Sequence, residues 1–199
     1  MSGAGPAPRP EPGPVPLWNI ANVLTASRLV MVPLFVVFMF LEDTGWRFAA
    51  FAVFVIAAVT DHVDGEIARR RNLVTDFGKV ADPIADKALT GAALIVLSLL
   101  GELWWWVTVA ILVRELGITL LRFAVIRHGV IPASRGGKLK TVLQVVAISI
   151  YLFPLPEPLA ILGPVAMGAA LVVTLWTGAD YVVQAVRLRG NRTPGAASG

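Results

Sequence analysis

Six apolar segments limit the folds available to this 199-residue chain more than any other feature of its sequence. They lie near residues 22–41, 46–68, 82–100, 103–126, 139–156 and 160–183. Each can cross about 30 Å of hydrocarbon as a helix, provided that some polar residues lie inside that helix. The hydrophobic content of 56% also exceeds that of ordinary soluble domains. The sequence therefore predicts an all-α, polytopic membrane protein with six transmembrane helices.

The composition of the two ends, the absence of cysteine and the positions of the basic residues narrow the class of protein. Residues 1–16 are rich in Pro, Gly and Ala and are predicted to form a disordered tail, and residues 188–199 a short second tail, which leaves 17–187 as the membrane domain. There is no cysteine, so a disulfide framework and a thiolate metal site are both excluded. The basic residues stand in blocks between apolar segments and no nucleic-acid-binding motif is present, so no nucleic-acid partner is expected.

The connecting loops sort by charge, and this predicts the orientation. The basic loop residues are Arg69, Arg70, Arg71 and Lys79, then Arg127, Arg135, Lys138 and Lys140, and finally Arg187, Arg189 and Arg192. The alternate loops are mostly acidic, with Glu42, Asp43, Glu102 and Glu157. Because loops rich in Lys and Arg stay on the cytoplasmic side, both termini are predicted to be cytoplasmic.

This orientation brings nearly all polar residues of the segments to one depth. From the first segment to the fifth they are Asn22, Thr25 and Arg28; Asp61 and Asp64; Asp82 and Asp86; Arg114, Glu115 and Arg122; and Lys138, Lys140 and Gln144. Polar residues inside a membrane usually face the interior of the helix bundle or a water-filled cavity. We therefore expect one polar cavity that opens to the cytoplasm.

Four aspartates in this cavity indicate a metal centre. Asp61 and Asp64 are three residues apart and share one helix face, and Asp82 and Asp86, four apart, share a face of the next helix. Carboxylates this close together take up protons unless cations hold them. Oxygen ligands suit Mg²⁺ or Mn²⁺, and two such ions bridged by carboxylates are suited to binding phosphoryl oxygens. The sequence thus predicts a site for two divalent ions.

The same residues carry a resemblance to a known family. The string DHVDGEIARRRNLVTDFGKVADPIAD, residues 61–86, resembles the signature D-x2-D-G-x2-A-R-x8-G-x3-D-x3-D of the CDP-alcohol phosphatidyltransferases, with every fixed position filled. The stretches NIANVLTASRLVMVP and RELGITLLRFAVIRHGVIPASRGGKLKT are similar to the phosphatidylglycerophosphate synthase branch of that family. The resemblance implies transfer of a phosphatidyl group from CDP-diacylglycerol to sn-glycerol 3-phosphate, with release of CMP, by a homodimer in the cell (inner) membrane.

The resemblance also implies roles for individual residues. Asp61, Asp64, Asp82 and Asp86 would bind the metal ions, and Asp86 would also be the general base. The residues implied to bind CDP-diacylglycerol are Asn22, Thr25, Arg28, Gly65, Arg69, Thr75 and Gly78. The candidates for binding the acceptor phosphate are Arg114, Arg122, Lys138 and Lys140, with the two arginines preferred because a guanidinium can bind phosphate through two hydrogen bonds.

Several alternatives stay open at this point. Arg114 beside Glu115 also fits a structural ion pair, and Lys138 and Lys140 also fit ordinary cytoplasmic loop charges. The family signature does not distinguish sn-glycerol 3-phosphate from inositol phosphate or phosphatidylglycerol as the acceptor. A protein of another class, a membrane transporter for cations or protons, would also place acidic residues inside the membrane. Against transport, the acidic residues lie at one end of the segments only.

Overall fold

The computed structural model describes residues 20–71, 76–125 and 135–190, and within these ranges the protein consists of helices with no β-strand. The helices are α1 (Ile20–Met39), α2 (Thr44–Arg71), α3 (Asp76–Leu99), α4 (Trp105–Val125), α5 (Arg135–Leu152) and α6 (Leu162–Gly190), with a single 3₁₀ turn at Glu157–Leu159. Each of the six α-helices contains most of one predicted apolar segment. The prediction of an all-α fold is thus confirmed for the described residues.

The ends of two helices differ from the predicted segments. The second segment was expected to end at residue 68 and the third to begin at 82, whereas α2 continues to Arg71 and α3 already begins at Asp76. Pro83, which from sequence alone could begin a helix or kink one, lies inside α3. The charged residues between the two segments therefore continue the helices, because backbone hydrogen bonding does not require the apolar pattern to extend this far.

The helices pack as a closed ring around an apolar core. The contacts run from α1 to α2, α5, α6, α4, α3 and back to α1, and α3 also contacts α2 and α5. Phe35 of α1 and Phe54 of α2 pack with ring centroids 6.0 Å apart and are fully buried. Leu97, Ile111 and Ile148, from three further helices, are also fully buried. The middle of the bundle is therefore apolar.

The outward surface is apolar as well. Trp176 is 78% exposed, and Leu120 and Val30 are each about two-thirds exposed. Among the described residues, one helical stretch, Glu157–Val186, is long and apolar enough to cross a membrane, with a mean hydropathy of 2.1. Shorter apolar helical stretches of 10–17 residues lie in α1, α2, α3 and α5. Six complete spans therefore remain a prediction.

One end of the bundle, which we call the acidic end, consists of the turns at residues 40–43, 100–104 and 153–161. There α3 stops at a Schellman turn in which Gly101 has a φ of 76° and the amides of Gly101 and Glu102 donate to the carbonyls of Ser98 and Leu97. The turn brings the carboxylate of Glu102 to Arg47 of α2. Glycine adopts this backbone conformation without steric strain.

Arg47 joins three parts of the acidic end through one guanidinium. Its Nη1 donates to Glu102 Oε1 at 2.7 Å, and its Nη2 pairs with the other oxygen of the same carboxylate. Its Nε and Nη2 also donate to the carbonyls of Leu152 and Tyr151, at 3.2 and 3.0 Å, near the end of α5. The start of α2, the α3–α4 turn and the end of α5 are thereby held together.

Candidate active site

The four signature aspartates lie on two helices that contact each other and are linked by four residues. Asp61 and Asp64 are ten and seven residues before the end of α2, and Asp82 and Asp86 are six and ten residues after the start of α3. At 1.5 Å per residue, all four Cα atoms lie about 9–15 Å along their helices from this link. The backbone therefore places both pairs at a similar depth, at what we call the signature end of the bundle.

The side chains of several predicted site residues lie outside the part of the chain whose side chains the structure describes. They are those of Asn22, Asp61, Asp64, Gly65, Arg69, Gly78, Asp82, Asp86, Arg122 and Lys138, and Thr75 lies outside the described residues altogether. Among the side chains that are described, no group of three or more His, Asp or Glu residues could hold a metal ion. The two-ion centre thus stays a prediction.

Two of the residues predicted to contact the nucleotide are buried on the inner side of α1. Thr25 is 3% exposed and Arg28 is 2% exposed. Their spacing of three residues puts both on one face of the helix, and α1 packs against the two helices that carry the aspartates. An arginine at this position in an apolar helix is unfavourable unless it faces polar groups. The structure thus directs both side chains into the bundle.

A charged cluster joins α4, α5 and α6. Arg114 of α4 donates from Nε to the carbonyl oxygen of Thr174 at 3.0 Å and from Nη2 to the hydroxyl of Thr177 at 2.8 Å. Its Nη1 donates to Glu115 Oε1 at 3.1 Å, and Lys140 of α5 donates to the same oxygen. All three charged side chains are mostly buried. Arg114 and Lys140, both predicted to bind the acceptor phosphate, therefore share one carboxylate.

The contribution of α6 to this cluster was not predicted from the sequence. A Cβ atom at Gly178 would lie 3.1 Å from Cγ and Nε of Arg114, so the glycine provides the space that the arginine occupies. Thr177 and Gly178 follow Thr174 by three and four residues, which puts both beside Thr174 on one face of α6. Two hydroxyls and a glycine on one face, directly after the apolar first half of α6, are the sequence signal that could have indicated this contact.

A small cavity of about 130 Å³ lies between α3, α4 and α5. Its polar lining consists of Lys87, Thr90, Glu115, Lys140, Thr141 and Gln144. Thr90 follows Asp86 by four residues, so the cavity begins one helical turn from the predicted general base and on the same face of α3. Gln144 is 3% exposed, and its Nε2 has no hydrogen-bond partner among the described residues. The cavity is therefore lined by two lysines, of which Lys140 is buried, and by an amide nitrogen that has no described partner.

A larger hollow of about 980 Å³ lies at the acidic end. Its charged lining residues are Arg47, Glu42, Asp43, Glu102 and Glu157. The fully buried apolar side chains in the middle of the bundle separate it from the smaller cavity. The two ends therefore differ in charge, and among the described residues only the smaller cavity has lysines in its lining.

Comparison with known proteins gives consistent matches over most of the chain. A family model described as CDP-alcohol phosphatidyltransferase matches residues 18–176. A Mycobacterium tuberculosis protein named probable phosphatidylglycerophosphate synthase is 54% identical over 172 residues, which cover 85% of this chain and 82% of that protein. Proteins named CDP-diacylglycerol–glycerol-3-phosphate 3-phosphatidyltransferase are 35% identical in Bacillus subtilis and 36% identical in Rickettsia typhi, covering 83% and 82% of this chain and 94% of each relative.

Proposed function

The chain belongs to the CDP-alcohol phosphatidyltransferase family, and from that premise we propose that it transfers the phosphatidyl group of CDP-diacylglycerol to sn-glycerol 3-phosphate. The products are phosphatidylglycerol phosphate and CMP. The names of the relatives from Bacillus subtilis and Rickettsia typhi state this reaction. The observation that carries the choice of acceptor is the buried Arg114–Glu115–Lys140 cluster, because its excess positive charge suits a phosphorylated acceptor.

Asp61, Asp64, Asp82 and Asp86 are the proposed ligands of two Mg²⁺ or Mn²⁺ ions. Their similar depth on two contacting helices supports this assignment, and carboxylate oxygens are the ligands that these ions prefer. When bound, such ions neutralise the charge on phosphoryl oxygens and on the departing nucleotide. The donor set of the chain therefore fits the metal requirement that the family resemblance implies.

The proposed reaction is a direct displacement at phosphorus. Asp86 accepts the proton of the acceptor's primary hydroxyl, and that oxygen forms a bond to the phosphorus that carries diacylglycerol. The bond between this phosphorus and the bridging oxygen breaks, and the electron pair leaves with CMP. The polar lining of the described cavity contains no serine, and the chain has no cysteine. A covalent enzyme intermediate is therefore not part of the proposal.

The nucleotide and the acceptor occupy different parts of the site in this proposal. Asn22, Thr25, Arg28, Gly65, Arg69, Thr75 and Gly78 contact CDP-diacylglycerol. The burial of Thr25 and Arg28 against α2 and α3 supports this assignment. Arg122, Lys138, Lys140 and Arg114 bind the acceptor phosphate. Three of the five N–H donors of Arg114 go to described acceptors, which leaves two for a phosphate.

We further propose that all six helices span the cell (inner) membrane, with both termini and the active site on the cytoplasmic side and with the protein acting as a homodimer. The exposed apolar side chains support the membrane location, because soluble monomers rarely expose large contiguous apolar surfaces. With this arrangement the lipid tails stay in the bilayer during the reaction. Nucleotide and acceptor reach the site from the cytoplasm.

A panel of acceptors tests the proposed reaction. The purified protein is given CDP-diacylglycerol with sn-glycerol 3-phosphate, inositol phosphate or phosphatidylglycerol, each with and without Mg²⁺, and CMP and lipid products are measured. We expect CMP and phosphatidylglycerol phosphate with sn-glycerol 3-phosphate, and only when the divalent ion is present. Product with inositol phosphate alone, or with phosphatidylglycerol alone, would contradict the choice of acceptor.

Transport of cations or protons is the alternative from another class. The apolar middle of the bundle argues against it, because the described residues there offer no polar path between the two ends. Vesicles that contain the purified protein distinguish the two functions. Cation flux without release of CMP would favour transport.

A further inference from the structure

We propose that Gln144 is a specificity-determining residue that hydrogen-bonds the hydroxyl group of the acceptor that does not react; this inference rests on the proposed function. The acceptor has three polar groups: a primary hydroxyl that attacks, a phosphate, and a secondary hydroxyl between them. In the proposed function Asp86 accepts the proton of the primary hydroxyl, and the basic residues bind the phosphate. Gln144 lies where the third would be, in the wall of the cavity that starts one helical turn from Asp86.

Gln144 is buried, and the nitrogen of its amide is left without a described partner. A side-chain amide loses its hydrogen bonds to water when it is buried, and leaving them unreplaced is unfavourable. Buried amides are therefore normally hydrogen-bonded to another group. An amide nitrogen that lines a cavity and has no partner in the described part of the chain is therefore available to a ligand.

The spacing along α5 connects Gln144 to the phosphate site. Lys140 precedes Gln144 by four residues, so both lie on the inner face of α5, and both line the same cavity. The cavity volume of about 130 Å³ has room for several water molecules and therefore for a three-carbon chain. Gln144 lies one helical turn from Lys140 towards the middle of the bundle, so an acceptor bound between Lys140 and Asp86 can turn its secondary hydroxyl into the cavity to meet the Gln144 amide.

The chemistry of the two groups matches in either direction. A hydroxyl can accept a hydrogen bond from the amide nitrogen or donate one to the amide oxygen. An acceptor without this hydroxyl would leave the buried amide unpaired, and sites built to bond a substrate hydroxyl reject such analogues strongly. Gln144 would in this way select a polyol phosphate over a simple alcohol phosphate of the same length.

The test compares sn-glycerol 3-phosphate with 3-hydroxypropyl phosphate, which lacks only the secondary hydroxyl. We expect the wild-type protein to have a kcat/KM about 10- to 100-fold lower with the analogue. In Gln144→Leu the preference should fall to less than about threefold, mainly because kcat/KM for sn-glycerol 3-phosphate decreases. Gln184→Leu is the matched control, because the amide of Gln184 is on α6 and already donates to Asp180 at 2.7 Å; it should keep the wild-type preference.

Two outcomes would overturn the inference: equal kcat/KM for the two acceptors in the wild-type protein, or an unchanged preference in Gln144→Leu. If the leucine variant does not fold, Gln144→Met, which keeps the length of the side chain, replaces it in the same comparison. Failure of the proposed function is recognised separately, because the wild-type protein would then release no CMP with sn-glycerol 3-phosphate at all.

Discussion

The contact between Arg114 and Gly178 gives a prediction whose sign follows from the structure. Alanine is favoured over glycine in a helix by up to about 1 kcal/mol, so Gly→Ala in α6 should be stabilising wherever there is room. At Gly168 no atom lies within 4 Å of the added methyl group. At Gly178 the methyl carbon would lie 3.1 Å from two atoms of Arg114. Alanine at either position gains helix propensity, but only at Gly178 does the added methyl group crowd a neighbouring side chain.

The size of the effect depends on whether Arg114 can move. Its hydrogen bonds to Thr174 and Thr177 hold the guanidinium at 3.0 and 2.8 Å, so a shift away from Gly178 stretches them. Overpacking costs about 1–3 kcal/mol, and with a helix gain of about 1 kcal/mol subtracted we expect Gly178→Ala to be up to about 2 kcal/mol less stable than wild type. For a chain of this size that lowers the Tm by up to about 8 °C.

Thermal unfolding in detergent micelles, with Gly168→Ala as the control in the same helix, measures this effect. The control should unfold at the wild-type Tm or up to about 4 °C above it. Gly178→Ala should also raise the KM for the acceptor, because Arg114 positions Glu115 and through it Lys140. Equal Tm values for the two alanine variants would refute the reasoning, since they would mean that the arginine is not packed tightly against α6.

Three further changes test other parts of the structure. Glu115→Gln should raise the KM for sn-glycerol 3-phosphate by about tenfold, because Lys140 loses its carboxylate partner, and an unchanged KM would argue that the lysine is held by other groups. Arg47→Met should lower the Tm in detergent while leaving the KM for both substrates near the wild-type value, since this residue and Glu102 lie at the acidic end; lost activity in a folded variant would contradict this. Asp82→Asn should abolish CMP release while the protein still folds in membranes, and retained turnover would count heavily against the two-ion centre.

The sequence predicted the existence of the six helices well, and their ends less well. Apolar runs of helical length indicate a helix whatever packs around them, and each of the six predicted segments lies mostly within one observed helix. The described residues of the predicted loop between the second and third segments are helical, since α2 ends at Arg71 and α3 begins at Asp76. These residues are charged, and an apolar pattern therefore does not indicate that they are helical. The sequence shows that the residues between these two segments are charged, but it does not show how far the helices extend into them.

Contacts between distant helices were the hardest features to predict. That Arg114 and Lys140 lie near each other followed from orientation, since both fall in the same half of the bundle. The ion pair of Arg114 with Glu115 was one of the alternatives that the sequence left open, and the structure contains it. That the same carboxylate also binds Lys140, and that the carbonyl of Thr174 accepts from Arg114, did not follow. A carbonyl oxygen is present at every residue and carries no sequence signal, and the partner of a buried side chain depends on helix rotation, which a single sequence does not determine.

The guanidinium of Arg47 has a mechanical consequence for the bundle. It makes four hydrogen bonds to groups in the α3–α4 turn and near the end of α5, so the far ends of these helices cannot part from α2 unless those bonds break. These bonds hold α2, the α3–α4 turn and the end of α5 together at the acidic end, and they do not restrain the other end of the bundle. We therefore expect the motions that admit and release the nucleotide to separate the helices at the end that carries the aspartates.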